Sequence, residues 1–536
     1  MELYGYKEPV PLSNTPSGFD KACSNTNHEL SHASEKHEIN PLAAIVRSTV
    51  QSITGWGTLG EDDVFFDKGL DSLQALRITR ALRRNMNRPA ISMSVLYKNP
   101  TVRQLSEALF GVNSGQKQTG SLLTSLQSTY MDRVKSIRLS TSTTRRSRPC
   151  DIVLTGSTGY LGTYMLHSIL SRSDVGHVFC LNRGEDGGRA VQLKRFAAAS
   201  LHFTKEMESR VTFLKADLAH PKLGLDDKAY KSLTERVGII IHNAWTVNFI
   251  LGLQAFQPQL DGVVNLCSLA AASAPPLAKI VFISSVSAVI SGDGRSAPEA
   301  IVTTPPESHQ GYGQSKFISE TILETAARHL GVPAIIARVG QIAGAVHQRG
   351  LWNPSEWLPS IVISSLYLGC LPDNLGVMEV IDWIPSDVLS EIIIDIATNT
   401  KEADSSRQGA QVFNLRNPRV TFWAELVPTI LKTAKDLQGL EIELVRPNVW
   451  LQRLRASHTR LTAEGALNGL TASASKNPAL KLLDFYSNSL WADGARARPM
   501  EVGNASPLSP TLKSLPTVDK AWMRKWVEEW AALVNS

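Results

Sequence analysis

From Cys150 onward the chain alternates short apolar runs with stretches long enough for a helix. The runs are "DIVLT", "HVFCLN", "VTFLKA", "VGIIIHN", "KIVFISS" and "PAIIARV". Strands apolar on both faces and joined by helical crossovers predict a doubly wound, Rossmann-type parallel sheet of the α/β class. Past about residue 345 the alternation weakens into Trp- and Leu-rich segments, which predict a smaller, mostly helical C-terminal substrate part. Upstream the period is different. "NPLAAIVRSTVQSI" places Leu42, Ile45, Val46, Val50 and Ile53 at helical intervals, "DSLQALRITRALRRNM" repeats the pattern, and "TVRQLSEALF" follows Pro100 with Thr101 as its N-cap. Residues 38–112 therefore predict a small all-α bundle. Residues 1–37 lack any sustained apolar period and read as a disordered lead-in, and the Ser-, Thr-, Gln- and Arg-rich residues 113–148 read as a linker with one helix near "LLTSLQSTYM".

Composition fits several globular domains: 536 residues, 43% hydrophobic and 19% charged. The net charge of +6 is concentrated in the Arg133–Arg148 segment, which reads as a solvated basic linker, so no nucleic-acid partner is expected. Five scattered cysteines without a CxxC pair, and no apolar run long enough to cross a bilayer, predict a cytoplasmic protein with reduced thiols and no membrane partner. "HELSH" matches HExxH through His28, Glu29 and His32, but its polar flanks give it no face to bury. The histidines His177, His202, His220 and His242 have no ligand spacing either, so no metal site is expected.

"DIVLTGSTGYLG" is a strand, a glycine-rich turn and a helix start. Gly156, Gly159 and Gly162, with Ser157, Thr158, Tyr160 and Leu161 between them, let backbone approach a pyrophosphate at a helix N-terminus. At the end of the next strand Asn182 and Arg183 stand where an NAD-specific fold tends to carry an acid, and a guanidinium there suits the 2′-phosphate of NADPH. Asp217 at the third strand end can accept from an adenine amino group, and Asn243 lies where the cofactor passes the sheet edge.

In "GYGQSK", Tyr312 and Lys316 share one helix face, and a neighbouring ammonium favours the phenolate of a tyrosine that exchanges protons with a carbonyl oxygen. "VFISSVS" presents Ser284, Ser285 and Ser287 one crossover earlier. Asp382 and Pro385 read as loop-shaping residues, Trp245 and Trp383 as packing residues.

Together with "RVGQIAG", "DWIPSDV" and "VFNLRNPRVTFWAEL", these motifs make residues 149–536 resemble the thioester reductase (terminal reductase) domains of the extended short-chain dehydrogenase/reductases. Such domains end many nonribosomal peptide synthetases and carboxylic acid reductases. The resemblance implies that Tyr312 donates a proton, Lys316 lowers its pKa and holds the nicotinamide ribose, and Ser285, with Ser287 as the alternative, polarises the carbonyl. "GLDSL", Gly69 to Leu73, with Phe65 and Phe66, resembles the phosphopantetheine attachment site of acyl and peptidyl carrier proteins, as in fungal adenylate-forming reductases, with Ser72 as the attachment residue. The pairing implies NADPH-dependent reductive release of an acyl thioester as aldehyde or alcohol in secondary metabolism. Its partners are a phosphopantetheinyl transferase and an acyl-loading adenylation enzyme or polyketide or peptide synthase acting in trans. Redox-neutral cyclising release and a non-catalytic carrier scaffold are the alternatives; the first tends to lose the tyrosine, and the second would show damaged glycine or catalytic positions.

Overall fold

A computed structural model describes residues 41–65, 68–70, 72–88, 91, 93–110, 115–140, 151–249, 251–289, 296–306, 310–350, 352–400, 409–463, 477–492 and 500–535. The lead-in with its "HELSH" match lies outside them. The chain divides into two compact units, 1–115 and 116–536.

In the first unit α1 (41–54), α2 (Ser72–Asn85), α3 (Met93–Lys98) and α4 (Val102–Phe110) enclose Val46, Val50, Phe65, Ile78, Leu82 and Leu105, all fully buried. All but Phe65, which enters from the loop before α2, belong to the helical stretches of the sequence. Thr101 Oγ1 accepts from the Gln104 backbone N–H at 3.2 Å, capping α4. Ser72 is the first residue of α2, and Gly69 just before it has φ +93°, a left-handed conformation that side-chain-bearing residues rarely take.

The second unit is built on a seven-stranded sheet. Its strands are β1 (Asp151–Thr155), β2 (Val178–Asn182), β3 (Val211–Lys215), β4 (Val237–His242), β5 (Lys279–Ser285), β6 (Ala334–Val339) and β7 (Gln411–Leu415). They run in the order β7-β6-β5-β4-β1-β2-β3 and every pairing is parallel. Alternate side chains enter two separate cores: Val153, Ile240, Ile280 and Phe282 on one face, Ile152, Leu154, Ile241 and Val281 on the other. β7 extends beyond the six apolar runs of the sequence. Its Asn414 interrupts the apolar pattern and is fully buried, donating to the Ala297 and Glu501 carbonyls, both at 2.9 Å.

The stretch read as a linker is largely structured. α5 (Gly115–Lys135) buries Leu123, Tyr130 and Val134 in the first of the two sheet cores, and Tyr130 Oη donates to Asp261 at 3.1 Å. Arg133 pairs with the same Asp261 while staying exposed, as do Lys135 and Arg138. Beyond β6, a third core gathers Trp352, Trp383, Trp423, Trp450, Trp526 and Trp530. The helix Ser386–Asn399 leaves that lobe and returns to the sheet, packing Val388, Leu389, Ile392 and Ile396 into the second core. Among the described residues no helix is long and apolar enough to cross a membrane.

Candidate active site

In a parallel sheet of this order, β1 lies between β2 and β4, and their two crossovers leave in opposite directions, opening a crevice beyond the carboxyl ends of the strands. The glycine loop follows β1 into this crevice. Gly156 has φ +69°, and a Cβ on it would sit 2.8 Å from the Ala244 backbone; a Cβ on Gly162 would sit 2.0 Å from the Gly156 carbonyl oxygen. The loop is knitted by neutral polar groups. Asn182 Nδ2 donates to Ser157 Oγ at 3.0 Å and to the Gly187 carbonyl at 2.8 Å, while Thr158 Oγ1 donates to Asn182 Oδ1 at 3.4 Å. Asn243 Nδ2 donates to the Gly156 carbonyl at 3.1 Å, and Thr155 Oγ1 accepts from the backbone of Asn243 and Ala244.

Gly159 occupies the N-cap of α6 (Tyr160–Leu170) and has no side chain to satisfy the first turn, so its N–H groups and the positive end of the helix dipole remain for an anion. Tyr160 Oη donates to the Ala343 carbonyl at 3.1 Å and accepts from Ser386 Oγ at 3.0 Å, tying the loop to the C-terminal part, and Leu161 is buried in the second core. Arg183 is exposed at the end of β2. Asp217 is also exposed, but its oxygens already hold the turn after β3 through Ala219 N–H at 3.1 Å and His220 Nδ1 at 2.9 Å. The cradle thus fits a dinucleotide: close backbone at Gly156 and Gly162, an open helix end, and a cation at the β2 edge.

The second half of the crevice is formed by β5, the residues after β4 and the helix Gly311–Leu330, here α7. The N-terminus of α7 is held close to its neighbours. A Cβ on Gly311 would lie 2.4 Å from the Gly252 carbonyl carbon, and one on Gly313 would lie 2.6 Å from the Ser287 oxygen. Tyr312 is buried, and its phenol and the Ser285 hydroxyl share a hydrogen bond. Of the three serines, Ser285 is the one brought to Tyr312. Ser284 instead donates to Glu320 Oε1 at 2.6 Å, farther along α7, beside a buried Arg338–Glu320 ion pair. Ser285 Oγ also accepts from the Ser287 backbone at 3.2 Å.

Burial pushes the Tyr312 phenol up to about 12, and the Ser285 hydrogen bond only moderates the rise. The sequence pattern pointed the other way, toward a phenolate favoured by Lys316. In the structure Lys316 Nζ donates to the Ile283 carbonyl at 2.7 Å and sits over the Trp245 and Phe282 rings, 4.0 and 4.5 Å from their centroids. Burial holds its pKa well below the usual lysine range, against the opposing pull of Glu320. Trp245 is therefore a seat for the lysine as well as a packing residue. "HNAW" marked the strand end, but nothing in it announced a cation over the indole. His242, fully buried at the end of β4, shares a 2.8 Å hydrogen bond between Nδ1 and Thr155 Oγ1 and stacks on Phe282. Trp383 packs among Trp352, Trp357 and Trp526, and Pro385 pairs with Ala343 in a short parallel bridge that shapes the loop after Asp382.

Comparison with known proteins shows which domains the chain resembles. Residues 154–393 match the family described as male sterility protein, an NAD-binding family, and residues 44–109 match the phosphopantetheine attachment site family. A carboxylic acid reductase of Neurospora crassa is 31% identical over 496 residues, covering 88% of this chain and 45% of that protein. The adenylate-forming reductase Nps10 of Heterobasidion annosum is 29% identical, covering 90% of this chain and 45% of that protein. The chain thus spans about half the length of these relatives. Among solved structures, a thiolation-reductase di-domain from an archaeal nonribosomal peptide synthetase covers 92% of this chain and 97% of its own, with 18% identity and a TM-score of 0.61. The terminal R domain of the myxalamid PKS-NRPS pathway covers 75% of this chain and 97% of its own, with 22% identity and a TM-score of 0.61. By these matches, residues 44–109 are similar to phosphopantetheine attachment sites and residues 154–393 to the male sterility NAD-binding family, on a fold shared with terminal reductase domains.

Proposed function

We propose that the chain is an NADPH-dependent oxidoreductase that releases an acyl group from its own carrier domain by reducing the thioester. The observation that carries this reading is the buried Tyr312–Ser285 pair at the sheet crevice, in the same chain as a carrier attachment serine. A phosphopantetheinyl transferase places the arm on Ser72, and an adenylating or acyl-synthase activity loads it. Tethering raises the local concentration of the thioester at the crevice without requiring tight binding.

The glycine loop and the N-terminus of α6 would hold the pyrophosphate, Arg183 the 2′-phosphate, and Lys316 the nicotinamide ribose. Bound there, the reduced nicotinamide would supply a hydride to the thioester carbonyl carbon. Ser285 and Tyr312 hydrogen-bond the carbonyl oxygen and stabilise the charge that builds on it. A phenol raised to about 12 stays protonated at neutral pH and is a donor, which is what the oxyanion needs. Proton transfer from Tyr312 gives a hemithioacetal; its C–S bond then breaks, leaving an aldehyde and the free thiol of the carrier arm. Solvent returns the proton to Tyr312, so one hydride and one proton are consumed for each aldehyde released. Buried thiols at Cys180, Cys267 and Cys370 suit a reducing, cytoplasmic setting.

The test is to load Ser72 with a phosphopantetheinyl transferase and an acyl-coenzyme A, add NADPH, and follow absorbance together with intact mass. Cofactor oxidation with return to the free-thiol mass is the expected result. An acylated protein that consumes neither NADPH nor NADH across a panel of acyl chains would sink the proposal. Ser72→Ala should stop turnover of carrier-bound substrate and spare reduction of a small soluble thioester.

A further inference from the structure

The residues after β4 pass directly over the proposed proton donor, and they are held in place at several points. Ala244 N–H donates to Thr155 Oγ1 at 3.1 Å, Trp245 packs under Lys316, and Thr246 Oγ1 accepts from Gln259 Nε2 at 2.9 Å. A little further on, Gly252 is in close contact with Gly311 at the start of α7. From this fixed stretch two apolar side chains project outward: Val247 is 67% exposed and Phe249 is 50% exposed. Phe249 meets the Tyr312 ring edge to face, with centroids 5.0 Å apart.

Exposed single apolar residues are ordinary on a protein surface. What sets this pair apart is its position. A carbonyl oxygen that hydrogen-bonds the Tyr312 hydroxyl places the carbonyl's own substituent within about one side-chain width of Phe249. The adjacent polar side chains, Thr246 and Asn248, carry no charge that could pair with an ammonium or a carboxylate on that substituent. A charged substituent would lose water there without gaining a partner, whereas an apolar one would cover exposed ring and methyl surface.

We infer that Val247 and Phe249 are specificity-determining residues that seat the acyl group beside the thioester carbonyl and select apolar acyl chains, aryl or alkyl, over aminoacyl groups. This rests on the reductive reading above. Phe249 covers one side of the Tyr312 ring, and the bound acyl group completes the cover and shuts water away from the phenol. The substrates selected are thus carboxylic acids whose first carbons carry no charge.

The experiment uses the full chain with soluble N-acetylcysteamine thioesters of benzoate, hexanoate and alanine. In the unmodified protein, kcat/KM for benzoyl and hexanoyl should exceed that for alanyl by at least about tenfold, the range one buried apolar group commonly gives. Phe249→Ser should shrink the benzoyl-to-alanyl ratio about tenfold, and Phe249→Leu should restore the hexanoyl ratio more than the benzoyl ratio. Val247→Ser, at the more exposed position, should shrink both ratios by a smaller factor and keeps the test informative if Phe249→Ser does not fold. An unmodified protein that reduces alanyl as well as benzoyl overturns the inference, and so do Phe249 and Val247 variants that lower all three substrates equally. No reduction of any thioester by a protein that binds NADPH would instead overturn the reductase reading, and the inference with it.

Discussion

Around the glycine loop the polar atoms are amides and hydroxyls that bond one another, and the charged group, Arg183, stands in solvent. Around Tyr312 and Lys316 the titratable atoms are themselves buried, among Trp245, Phe282 and Phe249, and their pKa values are moved far from the ordinary range. On the proposed reading, the two ends of one crevice meet different demands. A dinucleotide carries its charge with it, so its cradle needs open backbone and a hydrated counter-charge. A proton donor must stay protonated until an oxyanion forms, and a low-dielectric pocket keeps it so.

The largest effect should come from the buried end. Tyr312→Phe removes the donor while keeping the ring packed on Phe249, and kcat should fall roughly 10²- to 10⁴-fold with the NADPH dissociation constant within about threefold. Loss of cofactor binding in that variant, seen by fluorescence titration, would break the division of labour between the two ends. Arg338→Met should come next. It strands the Glu320 carboxylate in a site where both partners are buried, and urea unfolding should show a loss of about 3–5 kcal/mol. A smaller loss would mean that water reaches Glu320 and that the pocket is wetter than its geometry.

His242 tests the same dryness through pH. Burial first, and the nearby Lys316 second, push its imidazole from 6.5 down to about 3. The unfolded chain therefore takes up a proton below about pH 6.5 that the folded chain refuses until about pH 3. Stability present above 6.5 should be lost as the pH falls through that window, with a slope of up to about 1.4 kcal/mol per pH unit from this residue. His242→Asn should flatten the curve between pH 6.5 and 3, and an unchanged slope in urea titrations would remove His242 from the account. The smallest effect belongs to the exposed end. Arg183→Ala should raise KM for NADPH roughly tenfold through loss of a charge-assisted contact, leaving KM for NADH nearly as it was. Equal change for both cofactors would take the 2′-phosphate away from Arg183.

Much of this was legible because it depends on local pattern. β1 to β6 are apolar on both faces and announce themselves, and the glycine loop shows its strand before and helix after. β7 was hidden because Asn414 breaks its apolar run, and only the fold supplies the two carbonyls that its amide satisfies. The helix of α5 was legible near "LLTSLQSTYM", but its docking was not, since Leu123, Tyr130 and Val134 make a thin stripe whose partner surface is distant in sequence. The serines of "VFISSVS" are alike on paper. Ser284 meets Glu320 and Ser285 meets Tyr312, two positions on one helix, and which serine meets which is not fixed until α7 is packed along β5. The seat of Lys316 on Trp245 joins residues from separate elements, and no spacing rule reaches across them.

Asn182 limits how the proposed preference for NADPH could be re-engineered. A designer wishing to favour NADH would place an acid at the end of β2 for the ribose hydroxyls, and position 182 is the obvious choice. Its amide, however, donates to both Ser157 and the Gly187 carbonyl. An aspartate there would set a carboxylate oxygen against that carbonyl and leave the turn after β2 to its Asp186 and backbone hydrogen bonds. Such a change would therefore begin with rebuilding the Gly184–Gly188 turn so that its Gly187 carbonyl no longer depends on the Asn182 amide.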